Sequence, residues 1–382
     1  MKIYLDNGAT SFPKPPAVTA AMVDFMTNLG SNPGRGSYES SLETSRNIYH
    51  CRELLCSLFN FDKPDHVIFT PSITYSLNIL LQSILQPGWH VITSTMEHNS
   101  VLRPLLAAKD KLGINLDIIP ADNNGLISTE LFKSYIKPET KLVILSHASN
   151  VTGTVQPLEE IGKLCKSNNI FFIIDSAQTA GILPIDFKSL NANAIAFTGH
   201  KGLMGPQGTG GFLIDDTLNS IASPFILGGT GSLSSSTLQP DFLPDKFESG
   251  TMNGPGLFGL HASIDYILSV GIEAIHDKKS QLTRKFLEGL FEIENINIFH
   301  HLTSIYTGVI SVTFKEKDTS EIGYLLDKEY NIMTRVGLHC APLAHKTIGT
   351  YPSGTLRFSL GYFNTVEEID YTLKALNNLT RR

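Results

Sequence analysis

The sequence predicts an α/β fold, a mostly parallel β-sheet covered by helices on both faces, with a smaller α+β unit following it. Three observations carry this reading. Short β-rich apolar runs alternate with helical stretches through the first two thirds of the 382 residues, which is the signature of successive βα units. The chemically capable residues fall just beyond the strand ends, where open α/β sheets place their ligands. From about Pro255 onward, long helices lead into a few strands and a closing helix.

Taken in order, strands are expected at 66–69, 90–94, 116–119, 142–146, 171–175, 194–197 and 211–214, each an apolar, β-rich run. Helices are expected between them at 72–85, 101–112, 129–136 and 158–168. Residues 228–254 are rich in Gly, Ser and Pro and form a long irregular segment, of a kind usually kept for function. Beyond it, helices at 256–269 and 272–291 precede strands at 309–314, 332–334 and 355–359, and a helix at 366–379 closes the chain. The expected division is a large unit of residues 16–255 and a small unit made of 1–15 and 256–382.

Composition narrows the function. A hydrophobic content of 42% describes a globular chain, long enough for one large core and a smaller second one. A net charge of −6 and a pI near 6.1 argue against nucleic acid as the main partner. No stretch reaches the roughly 18 apolar residues of a membrane span, and Met1-Lys2-Ile3-Tyr4-Leu5-Asp6-Asn7 shows no secretory signal. Four cysteines in so long a chain make no disulfide framework. A cytoplasmic protein is expected, with no membrane partner.

The apolar run Ile170-Phe171-Phe172-Ile173-Ile174 ends in Asp175-Ser176-Ala177-Gln178, and the next strand ends in Phe197-Thr198-Gly199-His200-Lys201 before a glycine-rich stretch. A lysine that attaches a cofactor aldehyde, and a carboxylate that keeps a pyridine nitrogen protonated, are what pyridoxal phosphate chemistry requires. Alone, Lys201 reads equally as a surface lysine beside a structural turn; its pairing with Asp175 favours the cofactor. Thr70-Pro71-Ser72-Ile73-Thr74 joins a strand to a helix. It offers backbone amides and hydroxyls to a phosphate, and Ser72 alone reads as a plain N-cap. His98, after a strand, suits ring stacking, proton transfer or a structural role. Asn150 suits a bond to a cofactor phenolic oxygen or the capping of a turn.

Cys340 lies between His339 and Ala341, with Arg335 upstream, neighbours suited to favouring a thiolate. Pro342, Gly349, Pro352 and Gly354 follow it, a composition suited to a loop over a site. A buried structural thiol and a zinc ligand with His339 and His345 are the other readings; adjacent His-Cys lacks the usual ligand spacing, so no metal is assigned. Cys51, Cys56 and Cys165 lie in apolar helical contexts and read as core.

Tyr4-Leu5-Asp6-Asn7-Gly8-Ala9-Thr10, Glu97-His98, Ser149-Asn150-Val151-Thr152-Gly153, Asp175-Ser176-Ala177-Gln178, Gly199-His200-Lys201 and Phe247-Glu248-Ser249-Gly250-Thr251 occur in that order. Arg335-Val336-Gly337-Leu338-His339-Cys340-Ala341 and Leu356-Arg357-Phe358-Ser359-Leu360 complete the series. Together, from residue 4 to about 370, the chain resembles the cysteine desulfurase and selenocysteine lyase family of class V aminotransferase-like enzymes, on the branch with a C-terminal His-Cys-Ala motif. The resemblance implies the pyridoxal phosphate-dependent transferase fold of type I, with a large cofactor domain and a small C-terminal domain. It implies that Lys201 attaches the cofactor and moves the substrate α-proton, that Asp175 pairs with the ring nitrogen, and that Gln178 bonds the phenolic oxygen. His98 would stack on the ring and assist proton transfer. Ile73, Thr74, Thr198 and His200 would hold the phosphate, with Thr251 completing that cup from the other subunit of a homodimer. Arg357 would clamp the substrate carboxylate, aided by Arg335 and Asn150, because a planar fork matches a carboxylate. Cys340 would accept sulfur.

The chain departs from the family pattern at three places. Leu338 stands where a second histidine is common, Tyr75 replaces an acidic residue after the phosphate-binding Thr, and Asn99 replaces a histidine after His98. The implied activity removes sulfur or selenium from L-cysteine or L-selenocysteine, leaves L-alanine, and passes through a Cys340 persulfide in the sulfur reaction. A sulfur or selenium acceptor protein is an implied partner. The rival readings are an aminotransferase or cysteine β-lyase of the same fold, and a non-catalytic sulfur-trafficking protein.

Overall fold

A computed structural model describes residues 2–33, 36–300 and 305–381. In chain order the strands are β1 (Ile3–Tyr4), β2 (Val67–Thr70), β3 (His90–Ser94), β4 (Asn115–Ile119), β5 (Thr140–Ser146), β6 (Phe171–Asp175), β7 (Ala194–Thr198), β8 (Gly210–Ile214), β9 (Ile296–Phe299), β10 (Val309–Phe314), β11 (Ile332–Met333), β12 (Arg335–Gly337) and β13 (Thr355–Ser359). The helices are α1 (Pro16–Asp24), α2 (Glu39–Phe59), α3 (Ile73–Ile84), α4 (Asn99–Leu112), α5 (Thr129–Tyr135), α6 (Leu158–Ser167), α7 (Asp216–Ile221), α8 (Gly254–Val270), α9 (Ile272–Phe291), α10 (Thr319–Tyr330), α11 (Pro342–Thr347) and α12 (Val366–Arg381).

The large sheet has seven strands in the order β2-β8-β7-β6-β5-β3-β4. Strand β8 alone runs against its neighbours, β2 and β7. The reason lies in its connection. Only the tight turn of 199–209 separates it from β7, too little chain for the crossover a parallel neighbour needs. Gly199 is required in that turn, since a Cβ there would lie 2.1 Å from Thr209 Oγ1. The order in which strands are added reverses at β3, with β4 on one side and β5 on the other, the place where such sheets open a crevice at their carboxyl ends.

Alternation along the central strands feeds two cores. Phe172 and Ile174 pack on one face with residues of α2, α6 and α8, while Ile173 packs on the other with α3 and α4. A third core joins α9, α10 and α12 to an antiparallel sheet ordered β12-β13-β10-β9 and to the parallel pair β1-β11. Helix α8, which the sequence division assigns to the small unit, packs Leu257, Leu260, Ile264 and Ile267 into the core of the large sheet.

Several elements differ from expectation. The strand expected at 332–334 is two short strands belonging to different sheets, β11 and β12. The loop expected after Cys340 contains α11, opened by Pro342 at its first turn. Helix α2 has no counterpart among the expected elements, because Ser41, Thr44 and Arg52 sit on its buried side and blur the apolar period. No single helix among the described residues is long and apolar enough to cross a membrane.

Candidate active site

Asp175 ends β6 and is buried at the bottom of a cavity of about 210 Å³. The carboxyl ends of β2, β3, β5, β6 and β7 all open onto it. Its walls hold Ile73, Thr74, His98, Asn150, Asp175, Gln178, Thr198, His200 and Lys201 together. Ser72, Ser100, Ser146, Ala148 and Ala177 complete the lining. A larger open groove of about 860 Å³ beside α6 has no lysine or arginine in its walls. Volume does not choose the site; the convergence of unlike charges does.

Each wall has a cause. Burial pushes the Asp175 carboxyl up, against one backbone bond from Ala177 N at 2.9 Å and the nearby Lys201 amine. Burial likewise pulls the Lys201 amine down to about 8, opposed by Asp175, with Arg357 and Arg335 adding to the depression. His98 is the N-cap of α4: its Nδ1 accepts from Ser100 N at 3.1 Å. Burial first, then Lys201 and the surrounding arginines, pull it down to about 4, so the ring is neutral and carries its proton on Nε2. The structural role of His98 does not remove its ring from the cavity, which it also lines. Ser100 Oγ also meets Thr74 Oγ1 at 2.8 Å, which fixes the top of the cavity to α3.

Helix α3 begins at this cavity, and Ser72, the residue before it, makes no side-chain capping bond. Ser72 thus holds the N-cap position, as read, but its hydroxyl is not spent on the first-turn amides, which lie at the cavity wall. The buried Nδ1 of His200 has no partner among the described residues. Open helix amides, two threonine hydroxyls and an unpartnered imidazole nitrogen suit a phosphate; the Lys201 amine and the Asp175 carboxylate suit an aldehyde and a pyridine nitrogen. The residues present therefore fit pyridoxal phosphate. Gln178 lines the same wall, its amide nitrogen donating to Gly8 O at 3.2 Å.

Arg357 and Arg335 stand opposite one another on β13 and β12, an arrangement that is unfavourable without an anion between or beside them. Arg357 is 2% exposed; it donates to Asp6 Oδ1 at 2.8 Å and to Asn150 O at 3.0 Å, and its buried Nε has no partner among the described residues. Asn150 Nδ2 donates to His339 O at 2.7 Å, a partner the sequence did not suggest. Cys340 is exposed, and its carbonyl accepts from Asn99 N at 2.8 Å, one residue from His98. The Cys340 loop is thus joined through backbone to the residue after His98, which lines the cavity.

One expectation changes here. His339 supplies no cation to Cys340: burial, with Arg357 and His345 next, pulls its ring down to about 2, and Nε2 contacts Thr355 Oγ1 at 3.1 Å. Thr251 lies outside this cavity, exposed beside Thr70, Tyr75 and Glu248 in a separate hollow. The other three cysteines are buried, as read. Ser100, Ser146 and Asp6 are the site residues that sequence reasoning missed; a serine or aspartate just past a strand is too common a turn residue to stand out.

The class-V aminotransferase model matches residues 3–372. A probable cysteine desulfurase of Methanothermobacter thermautotrophicus is 31% identical, over 99% of this chain and 94% of that protein. A cysteine desulfurase of Serratia proteamaculans is 31% identical over 99% and 93%. Among solved structures, the cysteine desulfurase of Thermococcus onnurineus superposes with a TM-score of 0.93 at 31% identity, covering 100% of this chain and 95% of that one. A cysteine desulfurase of Escherichia coli gives 0.90 at 27% identity, with the same coverage.

Proposed function

The chain belongs to the class-V aminotransferase family and is a pyridoxal phosphate-dependent cysteine desulfurase, and from that premise we propose that Lys201, Asp175, His98, Arg357 and Cys340 carry its reaction. The observation that carries this assignment is the single cavity that gathers Lys201, Asp175 and His98, with the Cys340 loop bonded to its rim.

When bound, pyridoxal phosphate supplies a sink for the electron pair left at the substrate α-carbon. The α3 amides at Ile73 and Thr74, with Thr198 and His200, would hold its phosphate, and Thr251 of a second subunit would complete the cup. Asp175 would pair with the ring nitrogen, a cationic partner that would offset the burial raising this carboxyl. Lys201 would be the attachment point, and its Nζ would take the substrate α-proton. An amine held near 8 is substantially neutral at slightly alkaline pH and so able to accept that proton. His98 and Gln178, which line the cavity, would meet the ring and its phenolic oxygen, and His98 Nε2 would hold the proton to be moved. Arg357, assisted by Arg335 and Asn150, binds the substrate carboxylate.

Cys340 then acts on the substrate sulfur. Its thiolate forms an S–S bond as the substrate C–S bond breaks, and the released electron pair stays on carbon, where protonation gives alanine. Cysteine plus enzyme thiol becomes alanine plus enzyme persulfide, with no external oxidant. Because Cys340 is exposed, the sulfur is open to an acceptor protein. L-selenocysteine is a second substrate on this reading, since selenium leaves without a thiol to take it up. All four cysteines are free, which accords with a reducing cytoplasm.

The test is alanine formation from each amino acid by wild type and Cys340→Ser, under reducing anaerobic conditions. Cysteine turnover should fall at least about a hundredfold, the loss expected on removing a nucleophile, while selenocysteine breakdown persists. Undiminished desulfuration by Cys340→Ser would remove Cys340 from the mechanism.

A further inference from the structure

The Cys340 loop is held in an unusual backbone. His339 and Cys340 are consecutive non-glycine residues with φ of 48° and 57°, a region that L-residues rarely occupy and that costs free energy at each. Something must hold it there. The surrounding contacts form two tethers that meet at Val151. An apolar cluster packs Ala341 and Ala344 against Met96 and Val151. A polar chain runs from the His339 ring to Thr355 Oγ1 at 3.1 Å, on to Ser311 Oγ at 3.0 Å, and to Val151 O at 2.7 Å. Asn99 N holds the Cys340 carbonyl at 2.8 Å. None of these takes the carbonyl of His339, between the two strained residues, which is left to a separate donor. That donor is Asn150 Nδ2 at 2.7 Å.

Asn150 is also joined to the substrate end of the site. Its own carbonyl accepts from Arg357 Nη1 at 3.0 Å, and Arg357 is steadied by Asp6. One residue therefore touches the carboxylate-binding arginine through its backbone and the thiol loop through its side chain. We propose that Asn150 is a positioning residue that latches the Cys340 loop to the substrate clamp, so that the thiol and the arginine keep a fixed separation. The distance from a cysteine carboxylate to its sulfur is set by the substrate's own bonds. A fixed arginine-to-thiol frame thus places Cys340 on the sulfur whenever the carboxylate is seated. The role of Cys340 as sulfur acceptor comes from the function proposed above; the latch is a statement about the loop alone.

Two variants of the pyridoxal phosphate-loaded enzyme separate the latch from mere packing. Asn150→Ala removes the amide; Asn150→Asp keeps the volume and removes the donor. Amide hydrogen exchange of peptides covering 338–341 and 97–100 reads the loop directly, because Ala341 N bonds Leu338 O and Asn99 N bonds Cys340 O. Both variants should exchange about fivefold faster or more in these peptides, the loss expected from one hydrogen bond, with the visible absorbance of the bound cofactor unchanged. In both, kcat at saturating L-cysteine should fall about tenfold as the frame loosens. Exchange within about twofold of wild type in either variant overturns the latch, whatever happens to turnover. Faster exchange with full kcat overturns the positioning role, because a loosened loop then costs the reaction nothing; the assignment of Cys340 as sulfur acceptor stands or falls separately, on Cys340→Ser.

Discussion

Glu97, next to His98, is 1% exposed and accepts from Ser94 Oγ at 2.6 Å, Ser146 N at 2.8 Å and Ser146 Oγ at 2.7 Å. It laces the ends of β3 and β5 together beneath the cavity. Burial outweighs those three donors and pushes its carboxyl up to about 7, with Asp175 adding to the rise. The folded protein thus keeps a proton that the unfolded chain releases near 4.5. The stability this contributes is fully present below the unfolded value and is lost as pH rises through about 7. Glu97→Gln removes that dependence. Between pH 5 and pH 8 the unfolding free energy of the variant should gain on wild type by roughly 2.5 kcal/mol, measured by denaturant titration at both pH values. An identical difference at both would mean that Glu97 does not titrate in that interval. The sequence showed Glu97 only as the neighbour of a candidate histidine. Residues that meet the ligand, such as Lys201 and Asp175, announce themselves by chemical type at strand ends, whereas Glu97, Ser100 and Asp6 act through contacts between distant segments that no local pattern encodes.

At the scale of elements, regularity decided what could be read. Strands β3, β6 and β10 and helix α9 fall where expected, because each is a continuous apolar or clearly amphipathic run with turn residues at its ends. Helix α10 has no counterpart among the expected elements although its start is marked by Asp318, whose Oδ1 accepts from Ser320 N and Glu321 N; Asp followed three residues later by Glu is a helix-start signal. Helix α2 hides a buried pair. Arg52 meets Glu248 Oε2 at 2.7 Å, and Glu248 Oε1 accepts from Phe69 N at 2.7 Å. This pins the irregular segment before α8 to the edge strand β2, next to Thr251. Arg52→Ala leaves the Glu248 carboxylate buried without its cation and should cost about 3–5 kcal/mol of stability. In a double-mutant cycle with Glu248→Ala the two losses should fall well short of adding, since either alone breaks the same pair. Additive losses would show that the pair is not coupled.

For the whole molecule, several large apolar side chains stand in solvent. Val23 and Met26 on and after α1, Leu42 and Tyr49 on α2, and Phe225, Leu227 and Leu238 between α7 and α8 are all exposed. Exposed apolar side chains of this size are what an interaction surface covers. Thr251, on the same irregular segment, is exposed and outside its own chain's cavity. An isologous dimer resolves both observations, because in a two-fold pair a residue idle in its own site can complete its neighbour's. Lys201→Ala and Thr251→Ala chains then damage different halves of a composite site. Each variant alone should be inactive or strongly impaired. Mixed in equal amounts and allowed to exchange subunits, they should recover about a quarter of wild-type activity, because half the dimers are mixed and each has one intact site of two. Sedimentation of the holoenzyme should show the dimer directly. An active monomer, or a mixture no better than its better parent, would place Thr251 outside the site and leave the cup to Ile73, Thr74, Thr198 and His200 of one chain.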